Sequence, residues 1–397
     1  MEILKKILST VFKVLKWLLF TVLLILCISA IYNQFLPEES EEVEYLSEAQ
    51  KSYILEAFHL QSNLGDKIFP NWSDHYVPVI VYNEKYAFLV GMKNPDDGWR
   101  KMPADILRGE EWILVQSDDF FSDSYYRQRL RDPEITPENF TVKVGDRWVA
   151  TLQTREYAEI AFYHGFKEEL PAVVSSVFPY KLFWNLIMGN SENYVAGLVH
   201  ESFHALQGIR VPDRLSSAEY INSVESQYPW ENEQNRQGWA QEADLLIKAY
   251  QSSSELETRE LINRFLEVRE NRRMNADLSA EEVRYEKERE WLEGMAKYAE
   301  LKMGLIAAET TNYTPEPKLQ DIDSDFNSYQ SFESYFENQV AETKRAVARE
   351  GESRFYHTGM LQAMLLDQVQ DGWKSRVFQE GVYLDDLLSN FAGMHTD

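Results

Sequence analysis

Cysteine is nearly missing from this 397-residue chain, and the single one, Cys27, lies within an apolar N-terminal run. The remainder can form no internal disulfide, so its stability must come from packing. A content of 44% hydrophobic and 13% aromatic residues supplies the means. Positive charge is also scarce: 40 Lys and Arg stand against 65 Asp and Glu, a formal net charge of -25. Four of those lysines, Lys5, Lys6, Lys13 and Lys16, precede residue 37, which leaves the body more acidic still. Such a body is a poor partner for nucleic acid and for anionic lipid headgroups. No internal repeat is present, and Gly and Pro are sparse from Tyr180 until about Thr310.

The uncharged run WLLFTVLLILCISAI, Trp17 to Ile31, continues to Phe35 with only Asn33 and Gln34 interrupting, a length suited to one membrane crossing. Lysines before it and the acidic EESEEVE after it place the N-terminus in the cytoplasm and the body outside. Residues 1–36 therefore read as a lysine-rich stub and signal anchor of a single-pass cell-membrane protein. A cleaved signal peptide is the alternative, although Ile28 fits the small-residue cleavage pattern poorly. Leu26 ahead of Cys27 argues against lipidation. Residues 37–50 read as an acidic linker and 51–397 as the folded body.

Between His75 and Thr154 the stretches YVPVIVY, YAFLVG, EWILVQS, FTVKVG and RWVATLQ have strand length and strand residues. Asn83-Glu84-Lys85 and Gly145-Asp146 read as hairpin turns, giving a sheet of about four or five strands. From Tyr180 the apolar spacing turns helical. Ser279 with Glu282 forms a capping box opening a helix toward Gly304, a candidate terminator. The stretch from Glu309 to Ser331 reads as an exposed connection. The fold class is α+β, with a sheet-containing half at 51–175 and a helical half at 176–397.

The segment NSENYVAGLVHESFHALQGIRVP carries H-E-x-x-H in a helical context, with Asn190 or Ser191 as N-cap and Gly208 as stop. Residues four apart share a helical face, so His200 and His204 can direct ring nitrogens at one ion while Glu201 stands beside it. A zinc ion there lowers the pKa of a bound water to about 7, and a neighbouring carboxylate can take its proton. Val195, Leu198, Val199, Phe203 and Leu206 would bury this helix, and buried histidines need partners.

A catalytic zinc needs a third protein ligand. Glu293, in REWLEGMAKYAEL, is one candidate, and the Gly294 that follows it inside a helix signals close approach to another element. Glu286, Glu290, Glu293 and Glu300 fall on one helical stripe, which reads alternatively as a solvated acidic face. Glu242, in GWAQEADLLIKAY, is the rival ligand. The helix SELETRELINRFLEVRENRRM reads as structural support whose Arg264, Arg269, Arg272 and Arg273 could contact acidic groups near the site.

H-E-x-x-H followed by W-x-E-G-x-A-x-Y resembles the gluzincin branch of the zincin metallopeptidases, on His200, Glu201, His204, Trp291, Glu293, Gly294, Ala296 and Tyr298. The resemblance covers the two helices that carry these motifs. It implies a zincin-like catalytic domain, a Zn2+ cofactor, Glu201 as general base, a peptide or protein substrate, and a sheet whose edge strand binds extended substrate. Eighty-nine positions separate His204 from Glu293, longer than in the best-known members, and Glu242 lies in the intervening insertion. Gluzincin-like sites also place a Tyr or His from a later helix at the oxyanion, for which RFYHTGMLQAM offers Tyr356 and His357.

His59, His75, His164 and His395 lack ligand spacing and read as ordinary structure. A non-catalytic membrane-anchored metal-binding or sensor module is the competing function. An intramembrane protease also uses H-E-x-x-H, but here the motif lies far from the single apolar span. Oligomeric state is not legible.

Overall fold

The structure is a computed structural model and describes residues 2–116, 124–131, 135–137, 142–311 and 313–393, with side chains from residue 10 onward. His395 falls outside them. An N-terminal helix, Glu2–Tyr32, leads through a short 3-10 turn to the body. Its Thr10–Phe35 stretch is long and apolar enough to cross a membrane.

The body is mixed α+β around one curled sheet of eight strands: β1 (Val79–Tyr82), β2 (Tyr86–Val90), β3 (Trp99–Lys101), β4 (Ile106–Arg108), β5 (Ile113–Val115), β6 (Tyr125–Arg129), β7 (Val142–Val144) and β8 (Arg147–Gln153). Their order is β4-β3-β7-β8-β1-β2-β6-β5. All pairs are antiparallel except β1 with β8, which run parallel with Val79 opposite Ala150. Both expected hairpins are present. At the first, the Asn83 side chain accepts from the Lys85 and Tyr86 backbone N–H groups, an Asx-type turn.

Eight strands exceed the four or five expected. The additional ones, β3, β4 and β6, read WRK, ILR and YYRQR, and their charged residues hide the alternation that marks a strand. The edges are β4 and β5, whereas β8 is flanked by β7 and β1.

Alternation in the central strands divides two cores. Val79, Val81, Phe88, Val90 and Ala150 face the main core, while Ile80, Tyr82, Leu89 and Val149 face a second with Trp99 and Trp112. Against the main face lie the helix Glu48–Ile68, capped by Ser47, and the motif helix Ser191–Arg210. Residues before Ser47 are held to the body: Ser40 donates to Glu84, Glu41 to Glu156, and Asn83 to the Val43 carbonyl.

The remaining helices stack outward. Gly208 does not stop the motif helix. A Cβ there would lie 2.6 Å from the Trp148 ring of β8, so its bare backbone lets helix and sheet touch. Gly304 likewise sits inside Met295–Glu309, where a Cβ would meet the Phe332 ring at 2.3 Å. The stretch from Glu309 to Ser331 is exposed along much of its described length, as expected, but Leu319, Phe326 and Tyr329 are buried and pin it to the body. Tyr313 and Tyr329 donate to Glu56 at 2.7 and 3.0 Å, and the Glu316 N–H donates at 2.7 Å, because a fully buried carboxylate requires donors.

Candidate metal centre

The motif helix starts after Asn190 and buries Val195, Leu198, Val199, Phe203 and Leu206 completely or nearly so. Its opposite face carries His200, Glu201 and His204, which keep 7%, 8% and 6% exposure, buried but within reach of solvent.

Facing it is a second long helix in three parts: Ala280–Arg289, a π-helical segment Glu290–Gly294, and Met295–Glu309. The Ser279–Glu282 capping box opens it. The π segment explains what happens to the acidic stripe. Each residue turns an α-helix by about 100°, so one extra residue per turn rotates everything beyond it onto another face. Glu286 and Glu290 meet Arg269, Arg272 and Arg273, while Glu293 and Glu300 meet the histidines. None is a solvated surface acid: their exposures are 0%, 2%, 4% and 7% in chain order.

His200, His204 and Glu293 form a group whose ligand atoms lie within 4.8 Å of one another. His200 Nε2 is 3.2 Å from His204 Nε2 and 3.4 Å from Glu293 Oε2, and His204 Nε2 is 3.3 Å from the same oxygen. Donors about 2.0–2.1 Å from a tetrahedral zinc lie roughly 3.3–3.4 Å apart, so the near-equilateral triangle has the edge that zinc requires.

The tautomers point the same way. Gln207 gives its amide hydrogens to the Trp291 and Leu292 carbonyls at 3.0 and 3.3 Å, so its oxygen faces His204 Nδ1 at 2.9 Å. Glu300 takes the same position against His200 Nδ1 at 2.8 Å. Both Nδ1 atoms therefore donate, and in the neutral rings both Nε2 lone pairs aim at each other and at a carboxylate oxygen. Three acceptors at this spacing could hold a metal ion between them, or share a proton carried by one ring. Carboxylate and amide partners of this kind orient ligating histidines in metal sites generally.

Metal-free, the pocket would hold a proton instead. Burial opposes charge on His200, but hydrogen bonds to Glu293 and Glu300 outweigh it and push its pKa up to about 10. His204 is raised by Glu293 against the same burial penalty. Glu293 is held well below the usual carboxylate range despite burial, by His204 and Arg289. Arg289 donates to Glu293 Oε1 at 2.8 Å and so leaves Oε2 for the triangle. Burial raises Glu201, with His204 and His200 opposing, and its Oε2 has no hydrogen-bond partner among the described residues.

Gly294 signals what its position suggested. A Cβ on it would lie 2.5 Å from the Gly359 Cα, so the helix Ser353–Val369 crosses at backbone contact. That crossing brings Tyr356 to the site, its ring parallel to His200 with centroids 5.8 Å apart. Burial and then Glu293 hold the Tyr356 hydroxyl well above its ordinary pKa, hence protonated. His357 is not brought to the triangle. Its hydrogen bond goes to the Gln339 backbone, and burial, with Lys297 nearby, pushes its pKa down to about 4.

Glu242 is also elsewhere. Its Oε2 binds Arg269 at 2.9 Å and its Oε1 binds Arg272, both inside a buried network that includes Glu286, Glu290 and Asp385. Two oxygens committed to guanidinium groups leave nothing for a metal. Gln207, Arg289 and Glu300 are site residues that sequence reasoning did not single out, although each lies about one or two helical turns from a candidate ligand. Glu219 is a further neighbour, 3.9 Å from Arg289, and burial raises it to about 7.

No family model, curated protein or solved structure matches this chain.

Proposed function

We propose that this chain is a membrane-anchored zinc metallopeptidase with an extracytoplasmic body. The observation that carries the reading is the triangle of His200 Nε2, His204 Nε2 and Glu293 Oε2, with edges of 3.2–3.4 Å and each histidine oriented from behind. A zincin-like domain is what the motif resemblance implies, and the motif helix facing a downstream glutamate helix accords with it.

Bound by the triangle, Zn2+ supplies Lewis acidity toward a water and a scissile carbonyl. The protein does the rest. Glu300 and Gln207 hold both rings in one tautomer, and Arg289 holds the Glu293 carboxylate. Glu201, with an unpartnered oxygen and an affinity for protons raised by burial, takes a proton from water and passes it to the leaving amine. Tyr356, stacked on His200 and protonated, donates to the charge that develops on the former carbonyl oxygen. No covalent intermediate is needed.

The test is to purify the full chain in detergent, measure zinc by elemental analysis, and compare cleavage of a diverse peptide library with Glu201→Gln. The expected result is one zinc per chain in both proteins and cleavage only by the wild type. A chain that cannot be loaded with zinc refutes the metal centre. Zinc binding without cleavage of any peptide refutes the peptidase and leaves a binding module.

A further inference from the structure

Leu170 to Gly189 carries a single charge, Lys181, in a chain that is otherwise about one quarter charged. It folds as two short helices, Ala172–Val177 and Tyr180–Met188, joined at Phe178-Pro179. The inner side packs well: Tyr180 and Trp184 are buried with Tyr163 and Leu36. The outer side does not. Val173, Val174, Leu182, Leu186 and Ile187 are 81%, 44%, 51%, 72% and 51% exposed. Lys181 is drawn back to Glu159 on the preceding helix, so the outward apolar face carries no opposing charge.

What covers that face is indicated by where the hairpin sits. The Asn33 side chain donates to the Ser176 and Phe178 carbonyls at 3.2 and 2.9 Å. Ser29 is only 8% exposed, although Ile28 and Ile31 beside it are 55% and 62% exposed. The hairpin therefore clasps the apolar helix at Ser29–Asn33, near the exit end of its Thr10–Phe35 stretch. Twenty-six residues span about 39 Å against a hydrocarbon core of about 30 Å, so this end lies at the boundary of hydrocarbon and headgroups. The partly buried Phe162, Phe166, Phe178 and Phe183 cluster there over the buried Tyr180 and Trp184 and give the hairpin a rigid apolar backing.

We infer that the hairpin 172–188 is a second membrane contact, which inserts Val173, Leu182, Leu186 and Ile187 into the bilayer surface beside the span. This rests on reading Thr10–Phe35 as a membrane span. The occupant is lipid, and the attraction is apolar, so the acidity of the body does not oppose it. The motif helix begins three residues beyond Met188, at Ser191. Docking therefore fixes the metal centre relative to the bilayer, and the substrates it favours are polypeptide segments close to the membrane surface.

The experiment places the full chain in phosphatidylcholine nanodiscs with one nitroxide at a time. Leu186→Cys, Val173→Cys and Leu256→Cys are made on a Cys27→Ser background, and the wild-type chain is labelled at its native Cys27. Power saturation compares access of oxygen, which concentrates in hydrocarbon, with access of a water-soluble nickel chelate. Leu256, 81% exposed on the body, reports water. The labels at 186 and 173 are expected to match Cys27 and differ from 256. Labels at 186 and 173 that match 256 while Cys27 reports lipid overturn the docking and leave the anchor standing. Labels at 186 and 173 shielded from both reagents mean a protein occupant and also overturn it. If Cys27 itself reports water, the anchor reading fails and the docking with it.

Discussion

Gly294 and Gly359 meet backbone to backbone, and a Cβ on either would lie within 3 Å of the other's main chain. The contact joins the helix that carries Glu293 to the helix that carries Tyr356. It also tightens the crossing at Glu290, whose carbonyl would lie 2.4 Å from a Cβ on Gly359.

Gly294→Ala and Gly359→Ala are each expected to cost about 1–3 kcal/mol of stability, because backbone cannot move aside as a side chain can. Each should also weaken zinc binding by displacing Glu293. Gly165→Ala is the contrast: nothing lies within 4 Å of its Cβ, and it sits inside the helix Arg155–Glu169. That change should stabilise by up to about 1 kcal/mol. Thermal melts and zinc competition titrations on the three variants check both effects.

Glu293 and Glu242 separate cleanly by substitution. Glu293→Gln should abolish stoichiometric zinc, since the triangle loses its only carboxylate. Glu242→Gln should retain one zinc per folded chain but lose about 3–5 kcal/mol of stability, because Arg269 and Arg272 are left undercompensated in the core. Elemental analysis with denaturant unfolding distinguishes the two. Zinc loss from Glu242→Gln with normal stability would reverse the assignment.

Glu300→Ala and Gln207→Ala remove the groups behind the histidines without touching a ligand atom. Each should lower zinc affinity about 10–100-fold. Competition against a chromophoric chelator measures the change, and Glu300→Asp or Gln207→Glu should recover part of it. An affinity unchanged in both alanine variants would mean the tautomers are set by something else.

His357 gives a pH dependence. Its folded pKa of about 4 lies below the ordinary histidine value of 6.5, so protons favour the unfolded chain. Its contribution to stability is complete above about pH 6.5 and is lost as pH falls toward 4. Between pH 7 and pH 5 the loss is on the order of 2 kcal/mol. Chemical unfolding in detergent, followed by tryptophan fluorescence, should show that His357→Gln flattens this part of the profile. Equal slopes in the two proteins would exclude His357 as the source.

The parts of this molecule that obey a local rule were legible in its sequence. H-E-x-x-H needs only the period of a helix, the Ser279–Glu282 box needs only two side chains, and a two- or three-residue turn needs only Asn or Gly. Gly294 was legible too, as a helical glycine that marks a contact. Gly208 and Gly304 show the limit of the same reasoning, because a glycine that ends a helix and one that admits a neighbour look alike until the neighbour is known. Charged strands such as YYRQR were hidden because their arginines break the apolar alternation by which a strand is read. The choice between Glu293 and Glu242 depended on where three arginines went, which no spacing encodes.

The π-helical segment Glu290–Gly294 ties the direction of Glu293 to chain length. In an uninterrupted α-helix Glu286, Glu290, Glu293 and Glu300 would look the same way, so a metal ligand and a network anchor could not both be drawn from them. Such a bulge is a single π turn set within an α-helix. Because the bulge absorbs one residue, a plain α-helix shortened by one residue between Glu290 and Glu293 would keep Glu286 and Glu293 on the two faces they now occupy, whereas closing the bulge at the present length would swing Glu293 away from the histidines.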